Sequence, residues 1–417
     1  MSGFLERLET RLASLPPEAR RLRRPLEGAQ GAWAWQDGRR LLNFSSNDYL
    51  GLASHPAVVG AAARALRQYG VGSGGSQLVC GYSRAQQALE EQLAELTGRE
   101  RCLVFSSGYL ANLAVVGALL GPGALACADR LSHASLVDAI LLSRARLSRY
   151  RHADPESLRR KLAAAASRDC LAITEGVFSM EGDVPPLREI ARLCRRRGVA
   201  LMVDDAHGIG VLGATGAGTL QDLGLGQEQV PVLVGTFGKA LGCAGAFVAG
   251  AAGLVETLVQ QARPLIYTTA LPPALMQAAG AALLLLRREG WRRRRLHERI
   301  QYFLLCARQL GLPLLPSRTP IQPLPVGASR EAVRLSRALL ENGMLVPAVR
   351  APTVPRGEAR LRISLTACHE RGHIDALLES LGKLCVRGSA QEAAGASGGT
   401  SVSASAPPAA SSRERLS

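Results

Sequence analysis

Short apolar runs alternate with amphipathic stretches of helical length between about residues 55 and 290. The runs are rich in Val, Leu, Ile and Ala, and the stretches between them repeat apolar residues at the spacing of one helix face. The runs cover residues 102–107, 124–129, 170–176, 200–208, 232–240 and 244–250. The sequence therefore predicts an α/β fold with a mostly parallel central sheet and helices on both faces.

Changes in composition divide the chain into four predicted parts. Residues 1–54 form an N-terminal arm, in which a basic helix precedes an extended or hairpin segment. Residues 55–290 form the large α/β domain, and residues 291–386, with their short strand and helix patterns, form a smaller C-terminal α+β domain. Residues 387–417 consist mainly of Ser, Ala, Gly and Pro, with almost no large apolar side chain. This last part is predicted to be a disordered tail.

Two helix starts can be read from the sequence. Ser83 with Gln86 three residues later forms a capping box before an amphipathic run, and Asp154 precedes Pro155 at the start of another. Both patterns satisfy the free N–H groups of a first helical turn. We expect helices to begin at these positions.

The chain is strongly basic, with 50 Lys and Arg against 34 Asp and Glu and a net charge of +16. Arginine runs at residues 195–197 and 292–295 fit a nucleic-acid-binding protein. However, both runs lie in segments with helical apolar spacing, and aromatic residues make up only 4% of the chain. Solvated helix faces are therefore the favoured interpretation, and no nucleic acid is expected as a partner. An anionic small partner such as coenzyme A, or an acidic carrier protein, is compatible with the charge.

The cysteines and the N-terminus indicate a cytoplasmic protein. Nine cysteines, an odd number without a C-x-x-C pair, are typical of reduced thiols and provide no zinc-site spacing, so no metal is expected. Residues 1–12 include Glu6 and Glu9 and lack the apolar core of a secretory signal. Residues 108–128 carry no charge, but residues 121–123 (Gly-Pro-Gly) divide them into a helix-length and a strand-length piece. We therefore expect no membrane span.

Two segments, 70–75 and 208–213, match the G-x-G-x-x-G pattern of dinucleotide-binding folds. The first follows a helical pattern rather than a strand, and the second runs into further glycines instead of opening a helix. We therefore interpret both as close-packed or flexible backbone near a site, not as a nicotinamide site.

Lys239 is the most informative side chain because arginine supplies nearly every other cation. The chain contains three lysines, Lys161, Lys239 and Lys383. Lys239 follows an apolar run, and burial there would lower the pKa of the amine and make it nucleophilic toward aldehydes. Asp204 ends another predicted strand, and the carboxyl ends of parallel strands line one ligand crevice. Pyridoxal phosphate requires these two groups, an amine for its aldehyde and a carboxylate for its ring nitrogen.

Further side chains suit the rest of such a cofactor. Residues 102–107 lead into Gly108, Tyr109 and a helix, whose first backbone N–H groups would face a phosphate. Thr236 can add a hydroxyl to this cradle. His133 follows a short strand and can stack on the cofactor ring, and His207 and Ser179 can hydrogen-bond its phenolic oxygen.

These motifs resemble the α-oxoamine synthases, which are pyridoxal-phosphate enzymes of fold type I. The resemblance runs from about residue 20 to 385 and rests on NFSSNDYLGL (43–52), GSGGSQLVCGYS (72–83), ADRLSHAS (128–135), TEGVFSMEGD (174–183), VDDAHG (203–208) and TFGK (236–239). It implies a fold type I transferase that works as a homodimer with the site at the interface.

The resemblance also implies roles for individual residues. Lys239 would bond the cofactor and move protons on the substrate carbon, Asp204 would pair with the ring nitrogen, and His133 would stack on the ring and orient substrate. The residues assigned to cofactor binding are Gly108, Tyr109, His133, Ser179, Asp204, His207, Thr236 and Lys239. The residues assigned to substrate are Arg23, His133 and Thr353, together with Arg350 or Arg362 for the amino-acid carboxylate.

Segments 80–83, 321–324 and 350–355 resemble the family members that act in biotin synthesis. They imply a decarboxylative condensation of L-alanine with a pimeloyl thioester, whose carrier is either coenzyme A or an acyl carrier protein. A glycine-using acyltransferase of the same family is the alternative reaction. A basic nucleic-acid-binding protein is the alternative from another class.

Overall fold

The computed structural model describes residues 2–164 and 169–396. The helices are α1 (Ser2–Ala13), α2 (Pro56–Tyr69), α3 (Arg84–Thr97), α4 (Gly108–Leu119), α5 (Ala134–Leu142), α6 (Pro155–Ala163), α7 (Leu187–Arg196), α8 (Thr219–Asp222), α9 (Ala252–Gln261), α10 (Arg263–Ile266), α11 (Pro273–Arg288), α12 (Trp291–Gln309), α13 (Ser329–Glu341) and α14 (Arg371–Ala396). A π-helical turn spans Gln77–Gly81.

The strands belong to three sheets. They are β1 (Trp33–Gln36), β2 (Arg39–Asn43), β3 (Arg101–Phe105), β4 (Leu125–Asp129), β5 (Arg146–Tyr150), β6 (Cys170–Glu175), β7 (Ala200–Asp204), β8 (Val232–Thr236), β9 (Ala246–Gly250), β10 (Ile321–Gly327), β11 (Met344–Leu345), β12 (Ala348–Val349) and β13 (Ala359–Ser364). The central sheet has seven strands in the order β3-β9-β8-β7-β6-β4-β5. Strands β8 to β5 in this order are parallel, whereas β9 is antiparallel to both β3 and β8. The prediction of a mostly parallel α/β sheet is confirmed.

Each of the six apolar runs contains a strand of this sheet, because these strands are covered on both faces. Neighbouring strand residues pack alternately into two apolar clusters. Leu103 and Ile173 pack with α4, α5 and α9 on one face, whereas Val104 and Ala172 pack with α3, α6, α7 and α11 on the other. Helices thus cover both faces, as predicted.

The predicted helix starts are also confirmed. Ser83 Oγ accepts a hydrogen bond from the Gln86 backbone N–H, and the Asp154 side chain accepts one from that of Ser157. The uncharged segment 108–128 forms α4 and β4 with a break between them. Within the described ranges, no helix is both long enough and apolar enough to cross a membrane.

The N-terminal arm joins the C-terminal part of the chain. Strands β1 and β2 form a hairpin whose turn holds Asp37 and Gly38 at φ 51° and 72°, conformations that a tight two-residue turn requires. Strand β2 also pairs in parallel with β11, so that Leu42 lies opposite Met344. This long-range pairing extends the predicted arm into a three-stranded sheet, while β10, β13 and β12 form another.

The predicted part boundaries at residues 54, 290 and 386 stay predictions. Helix α14 continues to Ala396, past the start of the predicted tail at Arg387. The rest of that tail, residues 397–417, lies outside the described residues.

Candidate active site

A cavity of about 200 Å³ lies at the carboxyl ends of the parallel strands. Glu175, Asp204 and Thr236 are the last residues of β6, β7 and β8, so the sheet brings their side chains to one edge. The lining residues are Gly108, Tyr109, Asn112, His133, Ser135, Glu175, Ser179, Asp204, Ala206, His207, Thr236 and Lys239. All eight residues that the sequence assigned to cofactor binding are among them.

Lys239 places its amine inside this cavity, where Nζ lies 2.8 Å from His207 Nε2. Burial lowers the pKa of the amine to about 8, although Asp204 and Glu175 act in the opposite direction. A substantial neutral fraction of the amine is therefore available near neutral pH, which a nucleophile or base at this position requires.

Asp204 is a buried carboxylate held by neutral donors. Its Oδ2 accepts a 2.8 Å hydrogen bond from Asn112 Nδ2, and its Oδ1 accepts one of 3.0 Å from the Ala206 backbone N–H. Among the described residues it has no ion-pair partner. A buried carboxylate of this kind is suited to a cationic N–H group of a ligand.

His133 is the N-cap residue of α5 and lies beside the end of β6. Its Nδ1 is 2.7 Å from Ser135 Oγ, and its backbone N–H donates a 2.7 Å hydrogen bond to Glu175 Oε1. Burial lowers the pKa of the imidazole, so a neutral ring faces the cavity. Burial, reinforced by the charge of Asp204, raises the pKa of Glu175 well above its usual value.

His207 is fixed from both sides. Its Nδ1 lies 2.7 Å from the hydroxyl of Tyr49, and its Nε2 faces Lys239. Burial lowers the pKa of this imidazole well below the usual value, and the charges of Lys239 and Arg362 lower it further. His207 is therefore a neutral ring that has one donor and one acceptor nitrogen.

The first turn of α4 forms the predicted phosphate cradle. Ser107 caps the helix by accepting from the Leu110 backbone N–H, and the backbone of Gly108 and Tyr109 lines the cavity. The Tyr109 hydroxyl donates a 2.6 Å hydrogen bond to Asp138. Thr236 donates its hydroxyl proton to the Gly245 carbonyl at 2.9 Å. Its oxygen also accepts a 3.1 Å hydrogen bond from the Gly238 backbone N–H, so the hydroxyl can donate to a phosphate only by turning its proton away from Gly245.

The two candidate carboxylate-binding arginines lie in different places. Arg362 is buried, donates to the Ser179 carbonyl at 2.7 Å and reaches Asn47 Oδ1 at 3.2 Å, beside the cavity. The Arg350 guanidinium instead donates to the backbone carbonyls of Glu18 and Arg20. The substrate role of Arg350 stays a prediction, and in this structure the N-terminal arm occupies its donors.

The other two substrate candidates also lie away from Lys239. Thr353 Oγ1 is 3.5 Å from Arg21 Nη2, and neither Thr353 nor Arg23 lines the Lys239 cavity. The choice of Arg23 within a cluster of four arginines also stays a prediction, and in this structure the arm turns Arg21 toward Thr353. The structure thus brings together the cofactor residues but not Arg23, Arg350 and Thr353.

Sequence reasoning missed three residues of the site, Asn112, Glu175 and Tyr49. Asn112 had a readable signal, because it is a lone amide in an otherwise apolar helix, one turn after Gly108. Glu175 ends a strand in the same way as Asp204, its register partner on β7. Tyr49 lies in a motif that had been noted, but only the fold shows its contact with His207.

The site residues fit pyridoxal phosphate. The Lys239 amine, the ion-pair-free Asp204 carboxylate and the α4 N-terminus can serve the aldehyde, the ring nitrogen and the phosphate respectively. Asn112 Oδ1 is in addition a buried oxygen without a partner among the described residues.

Comparisons with known proteins agree with this chemistry. The family model for class I and II aminotransferases matches residues 39–381. The 8-amino-7-oxononanoate synthase of Thioalkalivibrio sulfidiphilus is 53% identical over 370 residues, which cover 88% of this chain and 94% of that protein.

Two solved structures are similar over most of the chain. The 8-amino-7-oxononanoate synthase from Francisella tularensis has a TM-score of 0.73 at 32% identity, covering 82% of this chain and 97% of that chain. A serine palmitoyltransferase variant from S. paucimobilis with bound PLP and myriocin has a TM-score of 0.84 at 28% identity, covering 92% and 96%. The resemblance predicted from the motifs is confirmed, and the chain belongs to the 8-amino-7-oxononanoate synthases within the class I and II aminotransferase family.

Proposed function

We propose that the chain condenses L-alanine with a pimeloyl thioester, releasing carbon dioxide and the thiol carrier, to form 8-amino-7-oxononanoate for biotin synthesis. The observation that carries this proposal is the cavity at the strand ends, which holds the Lys239 amine and the Asp204 carboxylate together. Two relatives, 53% and 55% identical to this chain over the aligned residues, are named 8-amino-7-oxononanoate synthase. The cofactor is pyridoxal phosphate.

Most of the cavity residues have a task in this reaction. Pyridoxal phosphate, when bound, supplies the electron sink for negative charge on the α carbon of alanine. Lys239 Nζ accepts the α-proton and later returns a proton to the product carbon. Asp204, fixed by Asn112 and Ala206, keeps a proton on the ring nitrogen.

The remaining residues bind and orient. The backbone N–H groups of Gly108 and Tyr109 hold the phosphate, and the Thr236 hydroxyl joins them by turning its proton from the Gly245 carbonyl to a phosphate oxygen. With the cofactor bound, His133 would cover the ring and orient both substrates, and Ser179 and His207 would hydrogen-bond the phenolic oxygen. These residues need not move far, because all of them already line one cavity.

Arg362 is the residue we propose for the amino-acid carboxylate. Its Nε donates to the Ser179 carbonyl and its Nη1 to Asn47 and Ser364, so Nη2, which has a 3.5 Å contact with the Tyr49 hydroxyl, is the nitrogen that can donate to a carboxylate oxygen. Arg23, Arg350 and Thr353 would meet the thioester donor only after the N-terminal arm releases Arg350. Their roles depend on that rearrangement.

A cytoplasmic homodimer is part of the proposal. The segment around the π-helical turn exposes apolar side chains, and Val71 and Val79 are each 80% exposed. Tyr267, which lies close to this segment in the fold, is 71% exposed. Such a patch supports a subunit interface. The eight cysteines whose side chains are described are free thiols, which supports a reducing compartment.

The test supplies the purified full-length protein with pyridoxal phosphate, L-alanine and either pimeloyl-coenzyme A or the pimeloyl carrier protein. We expect carbon dioxide, free thiol and 8-amino-7-oxononanoate, with little turnover when glycine replaces alanine. Turnover of glycine in preference to alanine would overturn the proposed substrate.

Two variants test the chemistry. Lys239→Arg and Asp204→Asn should fold but lose at least about 100-fold in activity, because the first loses the nucleophilic amine and the second the charge at the ring nitrogen. The exposed Lys161→Arg serves as the matched control. Borohydride reduction followed by mass analysis should place the cofactor adduct on Lys239, and an adduct on another lysine would contradict the proposal.

A further inference from the structure

An uninterrupted chain of hydrogen-bonding groups runs from Lys239 into the protein interior. Lys239 Nζ lies 2.8 Å from His207 Nε2, and His207 Nδ1 lies 2.7 Å from Tyr49 Oη. The Tyr49 hydroxyl is in turn 3.1 Å from Asn47 Oδ1. Tyr49 is completely buried, so water cannot replace any partner of its hydroxyl.

Arg362 fixes the far end of this chain. Its Nη1 is 3.2 Å from the Asn47 side chain, and a guanidinium can only donate, so the atom that faces it must be the carbonyl oxygen. Arg362 Nη2 also lies 3.5 Å from the Tyr49 hydroxyl. The hydroxyl thus has a donor on one side, an acceptor on another and a histidine nitrogen on the third.

These groups allow two complete arrangements of protons. In the first, a protonated Lys239 donates to His207 Nε2, His207 Nδ1–H donates to Tyr49, and Tyr49 donates to Asn47. In the second, Tyr49 donates to His207 Nδ1, and His207 Nε2–H donates to the lone pair of a neutral Lys239. Each arrangement satisfies both nitrogens of a neutral imidazole.

We propose that Tyr49 is a positioning residue that lets His207 reverse its tautomer, so that Nε2 accepts from Lys239 when the amine is charged and donates to it when the amine is neutral. The inference rests on the proposed proton transfer by Lys239. The proposal explains why the group next to His207 Nδ1 is a hydroxyl, because only a group that both donates and accepts can serve both arrangements.

The other charged groups around the Lys239 amine do not replace its hydrogen bond with His207. The titratable or charged groups that face Lys239 are Asp204 from β7, Glu175 from β6, Arg362 from β13, His133 before α5 and His207. Of these, only His207 is within hydrogen-bonding distance of Nζ. The others act through their charge, which does not depend on the tautomer of His207.

The first experiment uses the unaltered full-length chain, because it contains only three lysines and seven histidines. With the cofactor removed, ¹⁵N NMR of labelled lysine and histidine can follow Lys239 and His207 during one pH titration. We expect His207 to change from the Nδ1–H to the Nε2–H tautomer with the midpoint of the Lys239 titration. A tautomer that stays constant through that midpoint would overturn the proposal.

The second experiment compares Tyr49→Phe with Tyr150→Phe. Tyr150 is an equally buried tyrosine whose hydroxyl donates to the Ile173 carbonyl, away from Lys239. In Tyr49→Phe the Nδ1–H tautomer would leave a buried N–H without a partner, so the charged amine loses its acceptor. We expect the pKa of Lys239 to fall by about one and His207 to remain Nε2–H at all pH values.

Equal behaviour of the Lys239 pKa and the His207 tautomer in both variants would overturn the role of Tyr49. Neither measurement involves alanine or a thioester, so failure here is distinguishable from failure of the proposed reaction.

Discussion

At the scale of single residues, the carboxyl groups of Asp204 and Glu175 show how neighbours of one type are given different states. Both end adjacent parallel strands and line the same cavity. Asp204 receives donors on both oxygens, whereas Glu175 accepts one backbone N–H from His133 and is buried more deeply. Two unpaired charges this close repel each other, so the less solvated group keeps its proton.

Glu175→Gln tests this assignment through stability. Because burial raises the folded pKa of Glu175 above 4.5, the stability it contributes is present below about pH 4.5 and is lost as the pH rises through the raised pKa. Between about pH 4.5 and the raised pKa, the parent should lose about 1.4 kcal/mol of unfolding free energy for each pH unit, and the glutamine variant should not show this loss. Urea unfolding at several pH values measures it, with the exposed Glu298→Gln as control. Parallel stability profiles of variant and parent would contradict the assignment.

Arg362→Lys and Arg350→Lys distinguish the two candidates for the substrate carboxylate. Lysine keeps the charge but loses the planar fork, so the residue that binds the carboxylate should lose affinity. We expect the KM for L-alanine to rise about tenfold in Arg362→Lys and to stay within about twofold in Arg350→Lys. Steady-state kinetics with saturating thioester provide the measurement. A larger effect from Arg350→Lys would show that the arm releases this side chain during turnover.

Much of the site could be predicted from local sequence, because the cofactor residues lie at helix starts, at strand ends or in the loops that follow those strands. Lys239, Asp204 and Gly108 are examples in which chain position alone indicates the edge of the sheet. Tyr49 and the choice of Arg362 over Arg350 could not be predicted. Their positions depend on how the N-terminal arm and β13 pack against the large sheet, and no local pattern encodes this packing.

At the scale of elements, the start of α4 both caps its helix and lines the cavity, whereas the start of α3 only caps its helix. Ser107 and Ser83 cap their helices in the same way, each through a 3.2 Å hydrogen bond from a backbone N–H three residues later. Ser107, however, stands beside Gly108 and Tyr109, which line the cavity and whose N–H groups belong to the unpaired first turn of the helix.

Alanine substitution of the two caps separates these tasks. Ser107→Ala and Ser83→Ala should each lower the free energy of unfolding by about 1 kcal/mol, because each leaves one N–H without its acceptor. Only Ser107→Ala should also weaken retention of pyridoxal phosphate, since fraying there disturbs the phosphate cradle. Urea unfolding and equilibrium dialysis measure the two effects. Equal cofactor retention in both variants would argue against a phosphate at this helix.

Most central strands could be predicted because they are apolar on both faces, but β5 could not. Its sequence RLSRY carries two arginines, since an edge strand has one neighbour and exposes part of its surface. The pairing of β2 with β11 was missed for another reason. It joins residues about 300 positions apart, and two short strands give no periodic signal in the sequence.

At the scale of the whole molecule, the exposed apolar patch near the π-helical turn predicts the oligomeric state. Val79→Asp places a charge within this exposed patch and should convert a dimer to monomers with reduced cofactor-dependent activity. Leu305→Asp, on the exposed side of α12 and 57% exposed, is the matched control and should remain dimeric. Sedimentation velocity measures the masses. Monomeric parent protein at micromolar concentration would contradict the interface.

The parallel pairing of β2 with Met344 and Leu345 has a consequence for biogenesis. Asn47 and Tyr49 follow β2 directly, so the first catalytic motif to leave the ribosome reaches its final position only after residues near 344 have been synthesised. The pocket of the nascent large domain therefore stays incomplete until the residues near 344 have been synthesised. Chains truncated before β11 should consequently depend on chaperones far more than the full-length protein does.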